Sequence, residues 1–143
     1  MGLLGTVTPE EYTEALKPPP PPPPFPKGTE VTVEVTGISE QKISGKEGNH
    51  PYHWVRLKLI NEEGSHRFAD TVFSFSPKAK SMNIKFLKGF GFDAEAINSM
   101  PEGEEGLKQL VNCAGKGVCG APDTYEKDGE TRQKTTLGYM KTR

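Results

Sequence analysis

Cysteine is nearly absent from this chain of 143 residues. It has two, Cys113 and Cys119, with five residues between them in a glycine-rich stretch. That spacing makes neither a disulfide framework nor a zinc motif, so two reduced thiols in a cytosolic protein are expected. Histidine is scarce as well: only His50, His53 and His66. His50 and His53 would fall on opposite faces of a strand, so no metal site is expected, and surface or turn positions suit all three. No apolar run approaches the length of a membrane span or a signal-peptide core, which points to a soluble, cytoplasmic chain without membrane contact. There is no phosphate-cradling glycine loop followed by Lys and Ser/Thr, no nucleophile elbow and no HExxH. Glu62-Glu63 and Glu104-Glu105 lie in turn-like polar runs, a poor setting for raised pKa values. The chain is therefore expected to be neither an enzyme nor a cofactor carrier. A net charge of −1 excludes a uniformly basic nucleic-acid binder, and 33% apolar residues suffice for one modest core.

Proline and glycine are plentiful, at 13 and 16 residues, and imply many turns and short elements. Thr8-Pro9-Glu10-Glu11 reads as a helix start: a threonine N-cap, proline at the first helical position, and a helix through about Leu16. Pro18 to Pro24 follows, seven prolines in a row. With φ fixed and no amide donors, such a run favours a polyproline II spacer of roughly 22 Å. Residues 1–26 thus read as an N-terminal short helix and polyproline arm, and residues 27–143 as one domain. The arm's charge is −2 and that of residues 27–92 is +3, so the middle of the chain is the part that could meet phosphates.

Within the domain, Val31, Val33 and Val35 alternate with polar residues, a half-buried strand. A polar loop from Ser39 to His50 carries Lys42 and Lys46. In the second strand Val55, Leu57 and Leu59 share one face, and Tyr52, Trp54, Arg56 and Lys58 the other. A third strand runs from about Arg67 to Phe75, with either Phe73/Phe75 or Phe68/Val72 turned inward. Ser76-Pro77 opens a helix whose Ala79, Met82, Phe86 and Phe90 recur at helical spacing. A short helix around Leu107–Val111 and two further strands follow, near 116–121 (reaching towards Tyr125) and 133–140. Asp128-Gly129 between them is a hairpin signal. Strand, strand, strand, helix, strand, strand is the order of a mainly β, five-stranded OB-type β-barrel with a helix between strands 3 and 4.

A single nucleic-acid strand offers π-faces and a charged backbone, and a binder answers with exposed aromatics and cations. Tyr52 and Trp54 would stack bases, while Lys42, Lys46, Arg56 and Lys58 neutralise phosphates. Tyr125, Arg132 and Lys134, in the segment between the last two strands, would close the groove.

The order of Arg67-Phe68-Ala69-Asp70-Thr71-Val72, Ser76-Pro77-Lys78-Ala79, Phe86-Leu87-Lys88-Gly89-Phe90-Gly91, Gly115-Lys116-Gly117-Val118, and then Tyr125, Gly129 and Leu137-Gly138-Tyr139 resembles small phage-encoded OB-fold single-stranded-DNA-binding proteins. The resemblance covers about residues 27–141. It implies a sequence-independent single-stranded-DNA-binding protein of phage replication or recombination, working in the host cytoplasm. Bacterial proteins of this functional class end in an acidic partner-recruiting tail, whereas this chain ends Lys141-Thr142-Arg143. The acidic arm is then the candidate for a protein partner, or for a segment that competes with DNA for the basic face. The alternative is a non-enzymatic structural or adaptor protein of a virus particle.

Overall fold

The computed structural model describes residues 2–17, 22–43 and 50–141. Pro18–Pro21 of the proline run, Lys46 and the last two residues lie outside the described residues.

Helix α1 (Pro9–Leu16) begins as its sequence dictates. Thr8 is extended, its hydroxyl accepts from the Glu11 amide at 3.1 Å, and Pro9 fills the first helical position. The helix buries no residue. The far end of the arm behaves differently. Phe25 is 5% exposed and packs in the core, its amide donating to the Thr135 hydroxyl at 3.1 Å. The Arg67 guanidinium lies 4.7 Å from the Phe25 ring centroid and donates through Nε to the Pro23 carbonyl at 2.9 Å.

Alternation then builds a sheet. β1 (Glu30–Ile38) buries Val31, Val33 and Val35, and β3 (Pro51–Ile60) buries His53, Val55, Leu57 and Leu59. Between them β2 (Lys42–Ile43) pairs with Pro51–Tyr52, so part of the expected loop is strand. β4 (His66–Ser74) pairs with β3, β5 (Ala114–Cys119) with β1, and β8 (Leu137–Met140) with β5, all antiparallel. The result is mainly β: a curled antiparallel half-barrel with the strand order β4-β3-β1-β5-β8, and few helices. Its core combines the inner strand face with Leu87, Phe90, Leu107 and Leu110 from the helical segments.

The expected barrel does not close. β4 and β8 share no ladder among the described residues. Helix α2 (Lys80–Gly89), entered through a 3₁₀ turn at Pro77–Ala79, stands beside the gap. Met140 packs so closely under α2 that a methyl group at Gly89 would stand 2.5 Å from its Cβ. Gly115 allows the same approach from β5, where a Cβ would meet the Gly89 carbonyl at 2.4 Å. β8 thus packs against α2 beside the open edge. The buried side of α2 also differs from the expected stripe. Leu87 is buried, whereas Met82 is 73% exposed. Asn83 instead faces β4, donating to the Ser74 carbonyl at 2.7 Å.

Short helices α3 (Ala94–Ser99), capped by Asp93, and α4 (Glu104–Lys108) follow. The fourth strand stops at Cys119, short of the expected Tyr125, and the last strand is split. β6 (Asp123–Lys127) and β7 (Glu130–Lys134) form a separate two-stranded ribbon. Its turn is the anticipated Asp128-Gly129, with φ of 52° and 78°. The split coincides with two tertiary hydrogen bonds. Thr135 is buried against the Phe25 amide, and the Thr136 hydroxyl donates to the Ala121 carbonyl at 2.9 Å. These bonds turn the chain before β8 begins.

Candidate nucleic-acid interface

The pleat of β3 sends consecutive side chains to opposite faces. Because Val55, Leu57 and Leu59 fill the core, Tyr52, Trp54, Arg56 and Lys58 must face out. Trp54 is 40% exposed. Its ring meets Tyr52 edge to face, with centroids 6.4 Å apart and planes at 81°. Cross-strand register extends the patch. Lys42 stands opposite Tyr52, Val72 opposite Trp54, Asp70 opposite Arg56, and Phe68 opposite Lys58. The Arg56 guanidinium lies 5.1 Å from the Phe68 ring centroid. Glu34 of β1 flanks Lys58 on its other side. The face therefore carries Lys42, Arg56 and Lys58 against Asp70 and Glu34: an aromatic-apolar strip with a small cationic excess.

The sequence left open whether Phe73/Phe75 or Phe68/Val72 turns inward: Phe68 and Val72 face out, while Phe73 is buried and Phe75 packs partly buried against the core. Asp70 was the usable signal, because a carboxylate in phase with Phe68 and Val72 marks their side as the wet one.

The backbone under Trp54 is clasped by Ser39, which sequence reasoning passed over. Ser39 donates its amide to the Trp54 carbonyl at 2.9 Å, and its hydroxyl accepts the Trp54 amide at 2.8 Å. The Ser39 carbonyl accepts from His53 Nδ1 at 2.9 Å. A carbonyl can only accept, so Nδ1 carries the hydrogen. His53 is thus not the surface histidine expected. It is fully buried beside Phe75, and its Nε2 has no partner among the described residues. The bond to Ser39 compensates part of the cost of burying an imidazole.

Tyr125, Arg132 and Lys134 sit on the β6–β7 ribbon. Tyr125 is opposite Arg132, and Lys134 opposite Asp123. Arg132 reaches Glu130 at 3.4 Å. Among the described residues, no hydrogen bond, ion pair or ring contact joins this group to the Trp54 face.

Three groups elsewhere titrate away from their usual range. Lys141 donates to the Glu30 carboxylate, which lowers the Glu30 pKa and raises that of Lys141. Burial raises the Cys119 thiol. Among the described residues no three His, Cys, Asp or Glu side chains group to hold a metal, and no helix is long and apolar enough to cross a membrane. No family model matches the chain, and no curated protein matches it significantly.

Proposed function

We propose that this chain is a sequence-independent single-stranded-DNA-binding protein built on an open OB-type sheet, serving phage replication or recombination in the host cytoplasm. The observation that carries the reading is the outward pair Tyr52 and Trp54, flanked on one face by Lys42, Arg56 and Lys58. Bases would stack on the two rings, and the three cations would track the phosphates. The strand order agrees with it: the rings lie on the second of the five main strands, and OB-type proteins hold oligonucleotides on the face around the second and third. The loop that follows β1 and the β6–β7 ribbon occupy the chain positions that would flank such a groove.

The test uses the single tryptophan. Trp54 fluorescence is titrated with oligo-dT at low and high salt. Saturable quenching that weakens with salt supports the reading; an unchanged signal at low salt removes it. A second reading, a non-enzymatic structural or adaptor protein of a virus particle, is favoured by the net charge of −1 and the exposed apolar arm. It predicts a salt-insensitive protein partner and no DNA binding.

A further inference from the structure

Among the described residues two apolar surfaces are left unpartnered, and they are complementary. The first is the arm. Leu3 is 100% exposed and Leu4 80%, while Val7, Tyr12 and Leu16 are also exposed. Among them stand Glu10, Glu11 and Glu14 against the single Lys17, so residues 2–17 carry a net charge of −2. Scattered exposed apolar residues are ordinary, but a short segment carrying five of them with no packed face is not.

The second surface is the cleft left where the sheet fails to close. It has a volume of about 440 Å³ and lies between β4, α2 and β8. Val72, Met82, Phe86 and Met140 give it apolar walls, and Lys85 and Lys88 also line it. Helix α2 contains no acidic residue. An acidic, leucine-bearing segment and an apolar cleft bordered by lysines match in both hydrophobicity and charge.

We propose that the arm, residues 2–17, seats in the β4–α2–β8 cleft of a second copy of this chain. A neighbour is favoured over self-docking by the connection. Phe25 and Pro23 fix the base of the arm against the body, and seven consecutive prolines by sequence separate Lys17 from Phe25. Prolines fix φ and resist a tight reversal. Arm-into-cleft is a head-to-tail contact, so each added copy offers a fresh cleft and a fresh arm. This proposal stands independently of DNA binding.

Sedimentation velocity on the full chain, without nucleic acid, tests it from low to high micromolar concentration. The apparent mass should rise with concentration to at least twice that of the monomer. It should stay monomeric when residues 2–17 are removed, a truncation that takes no core residue. Two charge-reversed chains, E10K/E11K and K85E/K88E, should each remain monomeric alone and associate when mixed, because each arm then meets a cleft of opposite charge. A wild-type chain that is monomeric throughout, association that survives loss of residues 2–17, or reversed chains that do not complement on mixing would each overturn the proposal. Circular dichroism confirms that both reversed chains are folded.

Discussion

Replacing Trp54 by alanine separates a stacking platform from a packing residue. The indole is 40% exposed and faces away from Val55, Leu57 and Leu59, so its removal opens no cavity in the core. What it loses in the free protein is the edge-to-face contact with Tyr52 and the cross-strand pairing with Val72. Pairs of this kind contribute roughly 0.2–1 kcal/mol each, so stability should fall by about 1–2 kcal/mol at most. At about 2–4 °C per kcal/mol for chains near this size, Tm falls by a few degrees and the protein is folded at 25 °C. Loss of a stacked base is larger where it matters: about 1–3 kcal/mol of binding, or roughly 5- to 150-fold in Kd. Anisotropy of a labelled oligo-dT reads this without relying on the deleted tryptophan. Ile84→Ala is the matched control, since Ile84 is an exposed apolar residue on α2, away from the β3 face. A Trp54→Ala protein that binds like wild type, or an equal loss for Ile84→Ala, would refute the reasoning.

Salt dependence should be shallow for a DNA binder. Three described cations on the face give a log–log slope of about −2 at ~0.7 per phosphate, and Asp70→Asn, which removes a carboxylate opposite Arg56 in the ladder, should tighten binding most at low salt. Weaker binding of that variant would move the site elsewhere. Phe25→Ala should cost about 3–5 kcal/mol in urea unfolding, because the ring is buried although it follows the proline run directly. A change under about 1 kcal/mol would mean that Phe25 is peripheral. The Glu30 carboxyl should titrate below its ordinary 4.5 in an NMR pH series, because Lys141 donates to it. Its contribution to stability is present above the unfolded-state pKa and fades as pH falls through the folded one. That of Lys141, whose pKa is raised, is lost only at strongly alkaline pH. Lys141→Met should return Glu30 to its ordinary midpoint.

Much of the sheet was legible because burial writes itself as alternation. Val31, Val33 and Val35 mark the inner face of β1, and Val55, Leu57 and Leu59 that of β3, which leaves Trp54 outside. The hairpin turn was legible for a different reason: Asp128 and Gly129 tolerate the positive φ it needs. What escaped notice depends on partners distant in sequence. His53 stands in phase with Val55, Leu57 and Leu59, so alternation already placed it inside. What alternation hides is its partner, the Ser39 carbonyl, and the contact beside the break before β8, the amide of Phe25, 110 residues from Thr135. Gly89 and Gly115 admit Met140 beneath α2 beside the open edge. Periodicity sees one element at a time and carries no information about such contacts.

The open edge links the two proposals through one residue. Val72 stands opposite Trp54 in the β3–β4 ladder and also lines the cleft beside α2. A neighbour's arm in that cleft therefore lies alongside whatever stacks on Trp54, and the two occupants touch a common side chain. This gives the arm two possible effects of opposite sign. As a competitor, its carboxylates occupy Lys42, Arg56 and Lys58, and removing residues 2–17 tightens DNA binding. As a bridge between copies, they meet Lys85 and Lys88, and removal weakens binding to long oligonucleotides while sparing short ones that hold a single copy. K85E/K88E separates the two, since it disables only the bridge. Reduced cooperativity on long oligo-dT, with unchanged affinity for a short one, is the expected result. Equal affinities for both lengths in wild type and variant would leave the cleft no part in DNA binding. A closed barrel would have removed the edge and the cleft together. Leaving it open exposes Val72 to both surfaces, and that is the physical basis for coupling them.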